Sequence, residues 1–284
     1  MTMDDTIQTV CYRHPDRPTR LACSECGRMI CPECSHDAAV GQRCPECAAP
    51  QGRYREVRAR RDVFGGATMQ TAPVTMGLIV VNVAIFLLGF LSPDLNDQLI
   101  QRFALVSGSL AAQFGTDGEW WRIITSAFLH GGIAHILFNM YALYIFGPRL
   151  EQQVGSPAFA SMYFACAAAG GAMSYAFGNS VSIGASGAIF GLFGAWLFVA
   201  WRMRKSPGGR AMFNQLFVLL AINLALPLLI PNIDWRAHVG GLTAGILIAW
   251  LWSIFAVGRP NAVAIRTTIA LIVLAASVVV TVVI

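Results

Sequence analysis

The chain has 284 residues, 56% of them hydrophobic and 12% charged, with a formal net charge of +5. A soluble globular chain carries about 25% charged residues, so this composition excludes an ordinary water-soluble protein and points to a less polar solvent. The basic excess invites a nucleic-acid reading, which the placement of the charges argues against.

Residues 1–10 are polar and acidic, so no secretory signal peptide is expected at this end. Seven of the eight cysteines then fall between Cys11 and Cys47, while Cys166 sits alone in an apolar run. With one histidine they pair as Cys11-x2-His14, Cys23-x2-Cys26, Cys31-x2-Cys34 and Cys44-x2-Cys47. In a reducing compartment this spacing reads as metal binding rather than disulfides, and it fills two tetrahedral Zn2+ sites. A module as small as residues 1–52 can hardly fold on its own core, so two structural zinc ions are expected to stabilise it. His36 is a substitute ligand at most and reads as a surface residue. With every coordinating position filled, no metal-catalysed reaction is expected here. The functional reading of the module is docking of a cytoplasmic protein partner; the plain one is a folded cap, and the sequence leaves both open. Residues 53–73 follow as a basic, glycine-containing linker with Arg53, Arg55, Arg58, Arg60, Arg61, Gly65 and Gly66.

Beyond the linker lie seven apolar segments, at 74–91, 133–150, 157–178, 184–201, 211–230, 237–256 and 262–284. About 20 helical residues cross the ~30 Å hydrocarbon core. Stretches such as Pro157–Trp201 and Ala211–Ile233 contain no Asp, Glu, Lys or Arg, so they lack the charged face of a soluble surface helix. The expected fold is an all-α polytopic membrane protein with a small N-terminal zinc-binding domain. The linker arginines, then Arg202, Arg204, Lys205 and Arg210, then Arg259 and Arg266 fall on one side of seven spans. Asp94, Asp97, Asp117, Glu119 and Asp234 fall on the other. By the positive-inside rule the N-terminus is cytoplasmic and the C-terminus extracytoplasmic, and with no organelle signal a multi-pass plasma-membrane protein is expected. Charge so placed anchors the chain beside the lipid bilayer and calls for no nucleic acid. Within the long loop 92–132, the apolar stretch Phe103–Phe114 is too short to span and is expected to lie in or near the outer interface.

Polar side chains inside spans are costly, and each is by default a candidate site. Asn82, Asn214 and Asn223 read as ordinary interhelical hydrogen-bonding residues. His135 and Asn139 are more informative, being i and i+4 on one face of the second span. Ser186 stands in the Gly184-Ala185-Ser186-Gly187 opening of the fourth span, and His238 in the Ala237-His238-Val239-Gly240-Gly241 opening of the sixth. These three spans run in the same direction, so the three sets converge on one layer near the outer surface. A serine hydroxyl is a weak nucleophile until a base takes its proton, and histidine is the usual base, so Ser186 and His238 read as a serine-protease dyad. Attack on a peptide carbonyl builds an oxyanion, for which the His135 ring, the Asn139 amide and the Ser186 backbone N–H are candidate donors. Gly241 and Gly245 share roughly one face with His238, and Gly187, Gly191 and Gly194 thin the fourth span, so close helix approach would bring the dyad within reach. No Asp or Glu lies in a span near His238, and Asp234 falls in the outer loop, so no third triad member is expected.

The run Trp121-Arg122, His130, His135-Ile136-Leu137-Phe138-Asn139, Gly184-Ala185-Ser186-Gly187 and Ala237-His238 with Gly241 and Gly245 resembles the rhomboid family of intramembrane serine proteases, over residues 74–256. The resemblance implies a six-helix rhomboid core, with 262–284 as an added seventh transmembrane helix. It implies Ser186 as nucleophile, His238 as general base, His135 and Asn139 as oxyanion donors, and a water-accessible cavity open to the outside. Phe190 matches a position where the family often has a Tyr against the catalytic histidine. The implied substrates are single-span membrane proteins, cut at or just beneath the outer membrane surface beside a small residue. The pattern at residues 11–47 resembles B-box-type zinc modules. That likeness favours the cross-brace pairings Cys11/His14/Cys31/Cys34 and Cys23/Cys26/Cys44/Cys47, with sequential pairing still open. The alternative function is a non-catalytic rhomboid-like protein that binds membrane clients; such proteins typically lack the serine or the histidine, and this chain keeps both. A transporter would call for paired intramembrane acids or broken repeat halves, and a metalloprotease on His130, His135 and His238 for a carboxylate base; the sequence offers neither.

Overall fold

The computed structural model describes residues 9–38, 41–48, 71–230 and 233–284. Residues 1–8 and most of the expected linker, 53–70, lie outside the described residues. The chain forms two compact units, Met1–Arg60 and Arg61–Ile284.

In the first unit Pro32 starts a 3-10 turn, Pro32–Cys34, its missing N–H costing nothing at the first helical position. A hairpin of β1 (His36–Asp37) and β2 (Gln42–Arg43) pairs His36 with Arg43, and a single-turn helix α1 (Pro45–Ala48) follows. Ile30 is the one aliphatic side chain in this unit's buried cluster, the rest being cysteines.

The second unit opens with α2 (Pro73–Leu91), again with a proline in its first turn, and then α3 (Pro93–Phe103), capped by Ser92. The apolar stretch after it is not one element. Leu105–Val106 forms β3, Ser109–Phe114 forms α4, and of these residues Leu105 and Val106 are buried while Phe114 is exposed. Next come α5 (Arg122–Thr125), a 3-10 turn (Ser126–Phe128), α6 (Ile133–Val154) and α7 (Ser156–Phe177), with a bend of 99° between Arg122–Phe128 and α6. β4 (Val181–Ser182) returns to pair antiparallel with β3. The chain ends with α8 (Ser186–Met203), α9 (Pro207–Leu229), α10 (Trp235–Phe255) and α11 (Ala262–Val283). Five of these helices are individually long and apolar enough to cross a membrane, and six if the bent pair counts as one, so this is a multi-pass membrane protein of largely helical build. α7 falls outside that set because Ala and Gly replace Leu and Ile along it, and most of it is buried.

α8 is packed by α6, α7, α9 and α10. Its contact with α10 is backbone on backbone: a methyl group on Gly241 would collide with the Gly187 carbonyl, and one on Gly245 with that of Gly191. At the opposite end from the candidate site, the buried carboxylate of Glu151 in α6 accepts from the Val74 and Thr75 N–H groups (3.0 and 2.8 Å), and from the Thr75 and Ser156 hydroxyls (2.7 and 2.6 Å). It thereby satisfies first-turn donors of α2, where the helix dipole favours an anion. Arg266, counted with the basic loop residues in sequence, is instead buried within α11 and donates to the Gln153 and Val154 carbonyls at the C-terminal end of α6.

Candidate active site

The turn between β4 and α8 sets the position of Ser186. Gly184 adopts φ +125°, which an L side chain rarely reaches, and its N–H donates to the Ser126 carbonyl at 2.9 Å. Ser186 is then the first residue of α8, so its own N–H is one of the helix's free first-turn donors. His238 lies in the first turn of α10, whose N-cap is Asp234. The two side chains meet: His238 Nε2 is 2.9 Å from Ser186 Oγ. Phe190, one turn along α8, stacks on the His238 imidazole at 4.2 Å with 9° between the planes. The histidine is buried, and its Nδ1 has no hydrogen-bond partner among the described residues.

His135 approaches from α6. Its Nε2 is 2.6 Å, and Ser186 Oγ 3.8 Å, from the point a Cβ on Gly184 would occupy, so only glycine leaves room there. The Gly131 N–H donates to His135 Nδ1 at 3.3 Å. An accepting Nδ1 leaves the proton on Nε2, which therefore presents an N–H on the Ser186 side. Asn139 is buried one turn on, and one N–H of its amide donates to the His135 carbonyl at 2.9 Å, leaving the other. His130 packs edge-on to His135 at 5.0 Å, buried, with neither ring nitrogen partnered among the described residues. Arg122, beside Trp121, is buried and spends its guanidinium on Glu119 (2.5 Å) and on the Ala104 and Gln101 carbonyls (2.7 and 2.9 Å), so it braces the loop before α6. Asn82 donates to Leu78 on its own helix. Such a constellation, a hydroxyl against a buried imidazole with N–H groups aimed nearby, can generate an alkoxide-like nucleophile and receive developing negative charge.

The sequence reading passed over Asp234 as a loop residue. An aspartate immediately before an apolar run is the usual signal of an N-cap, and its Oδ1 accepts from the Arg236 and Ala237 N–H groups at 3.1 and 3.2 Å.

In the first unit eight of the nine Cys and His residues fall into two interleaved groups, Cys11/His14/Cys31/Cys34 and Cys23/Cys26/Cys44/Cys47, each with its donor atoms within 4.8 Å of one another. His14 Nδ1 lies 3.4 Å from both Cys31 and Cys34 Sγ. His36 belongs to neither group. The Cys44 backbone N–H, then that of Cys26, holds the Cys23 thiol down at about 6, whereas burial, then Cys31 and Cys11, pushes Cys34 up to about 11. Thiols so crowded ionise together only around a cation, and tetrahedral sulfur-rich sets suit zinc.

Comparison with known proteins agrees with both units. Residues 117–255 match the Rhomboid domain family and residues 6–38 the B-box zinc finger family. The chain is 39% identical over 177 residues to the rhomboid protease GluP of Bacillus subtilis, a match covering 62% of this chain and 33% of that protein. It is 34% identical over 219 residues to the mitochondrial RHOMBOID-like protein 6 of Arabidopsis thaliana, covering 66% and 70%. It is 38% identical over 140 residues to RHOMBOID-like protein 1 of Arabidopsis thaliana, covering 48% and 35%. The chain thus spans a third of the length of the first of these relatives.

Proposed function

The chain belongs to the rhomboid family, a family of intramembrane proteases, and on that premise we propose that it is a serine endopeptidase that cleaves single-span membrane proteins at or near the extracytoplasmic membrane face. The observation that carries the reading is the 2.9 Å approach of Ser186 Oγ to His238 Nε2 at adjoining helix N-termini.

In this reading neutral His238 accepts the Ser186 proton at Nε2 as Oγ attacks the scissile carbonyl carbon. The carbonyl oxygen becomes an oxyanion, received by the His135 Nε2–H, the free N–H of Asn139 and the Ser186 backbone N–H. Collapse breaks the C–N bond, and the amine leaves with the proton from His238. Water, deprotonated by the same nitrogen, then hydrolyses the Ser186 ester and restores the hydroxyl. Each oxyanion donor contributes about 10²–10³ to kcat. The Phe190 stack holds the imidazole plane while the proton moves in both directions.

The same reading assigns residues 1–52 to a cytoplasmic zinc module with two structural Zn2+ ions, 53–73 to a linker, 74–256 to the protease core and 262–284 to a seventh transmembrane helix. Cys11, His14, Cys31 and Cys34 would hold one ion and Cys23, Cys26, Cys44 and Cys47 the other, each ion tying together its own four ligands in place of a core. The N-terminus is cytoplasmic, the C-terminus extracytoplasmic, and the membrane the plasma membrane. The module's partner is a cytoplasmic protein.

The test is cleavage of a panel of single-span substrates by liposome-reconstituted wild type, Ser186→Ala and His238→Ala. Wild type is expected to cleave and to take a fluorophosphonate label at Ser186, and each variant to lose at least about 10⁴-fold in rate. Variants that cleave as well as wild type would falsify the dyad. Wild type that binds substrates without cutting any would establish the client-binding alternative instead.

A further inference from the structure

His238 lacks the usual means of orienting a catalytic imidazole. In serine-protease sites a third group holds Nδ1, whereas here Nδ1 is buried without a partner among the described residues. The stack on Phe190 fixes the ring plane, but stacking leaves the ring free to slide along the helix axis. What sets its height against Ser186 must therefore act through the backbone of α10.

The first turn of α10 is pinned at successive points. Asp234 uses both carboxylate oxygens: Oδ1 takes the Arg236 and Ala237 N–H groups, and Oδ2 takes the Ser174 hydroxyl of α7 at 2.5 Å. A hydroxyl donating to a carboxylate is among the stronger kinds of hydrogen bond. The Asp234 carbonyl also accepts the His238 N–H at 3.3 Å. One turn below Ser174, Gly170 packs so closely on the Ala237 carbonyl that an added Cβ would stand 2.7 Å from it. Asp234 thus joins α7 to the four-residue segment that ends in His238.

We propose that Asp234, clamped by Ser174, is the positioning residue for His238: it fixes the first turn of α10 against α7 and so holds Nε2 at hydrogen-bonding distance from Ser186 Oγ. This rests on the dyad reading above.

The experiment uses full-length protein in liposomes and compares Asp234→Ala, Asp234→Asn and Ser174→Ala. It reads kcat and KM on a single-span substrate, the rate of fluorophosphonate labelling of Ser186, and the thermal unfolding midpoint. A displacement of about 1 Å costs on the order of 100-fold, so Asp234→Ala is expected to lower kcat and labelling about 10- to 100-fold with KM unchanged. Ser174→Ala follows with a smaller loss of the same kind. Asparagine caps a helix about as well as aspartate and its amide can donate to Ser174 Oγ, so Asp234→Asn is expected to keep kcat within about threefold of wild type. The proposal is overturned by Asp234→Ala at wild-type kcat, by Asn losing as much as Ala, or by a kcat loss that merely follows the unfolded fraction. Failure of the dyad reading looks different, since Ser186→Ala would then still cleave.

Discussion

The zinc module has almost no ordinary core-forming side chains, whereas the helix bundle has many, and each unit coheres in its own way. In the module the buried cluster is Cys11, Cys23, Cys31, Cys34, Cys44 and a single isoleucine, Ile30. Its order is expected to depend on a metal held by those thiols. In the bundle the tightest seam, α8 against α10, is made where side chains are missing, with Gly241 and Gly245 set on the carbonyls of Gly187 and Gly191. Close backbone approach gains dispersion contacts that lipid tails cannot match, so here small residues do the work that large apolar ones do in water. The first unit should therefore respond to removal of a ligand, the second to addition of a methyl group.

Stripping zinc is expected to have the largest effect, because metal binding supplies the folding free energy of such a module. Purified protein should carry two zinc ions per chain. Chelation, or Cys23→Ser, should turn the module's arginines into rapid trypsin sites while the bundle keeps its thermal midpoint. Zinc-free protein with a protected module, or a bundle that melts in step with zinc loss, breaks the contrast.

Gly241→Ala comes next. The added methyl meets backbone, not a movable side chain tip, so α8 and α10 must separate. A cost of about 3 kcal/mol is expected, at the upper end for overpacking. Since the same seam brings His238 to Ser186, the rate of fluorophosphonate labelling should fall with it. Unchanged labelling would mean that the dyad geometry does not depend on this contact.

A smaller effect is expected at Glu151. Glu151→Ala leaves two backbone N–H groups and two hydroxyls without their acceptor in a buried place, which should cost about 2 kcal/mol in thermal stability. Glu151→Gln keeps an acceptor and should lose less. Because this carboxylate lies far along α6 from His135, labelling of folded protein should stay at the wild-type rate.

What could be read from the sequence, and what could not, follows the range of the interactions. Seven apolar segments foretold the long helices to within a few residues, since apolar length is a local property. Ser186, His238 and His135 could be brought to one layer because alternate spans run in the same direction, a consequence of chain order alone. The β3–β4 pairing left no such trace, as it depends on hydrogen bonds between segments far apart in the chain, Leu105 pairing with Ser182. Arg266 was misplaced for a related reason. A charge at the end of an apolar segment looks like a loop residue until the carbonyls of Gln153 and Val154, far earlier in the chain, are seen to receive it. Asp234 lay between these cases: its capping role is local and could have been read, while its bond to Ser174 is not.

The smallest effect is expected where the bundle is loosest. Most of α8 is buried, whereas in α9 only Gly209 and Leu216 are. Gly208, in the first turn of α9, has nothing within 4 Å of where a Cβ would stand. Alanine there meets no obstacle and restricts the unfolded chain, so Gly208→Ala should be neutral or stabilise by about 0.5 kcal/mol. The same chemical change thus reverses sign between Gly241 and Gly208. Comparing the two variants by thermal midpoint in one preparation isolates packing from helix propensity, because propensity alone predicts a gain at both positions. If Gly208→Ala loses as much as Gly241→Ala, α9 is held by contacts as close as those of the α8–α10 seam, and the distinction between a tight inner seam and a lightly held outer helix fails.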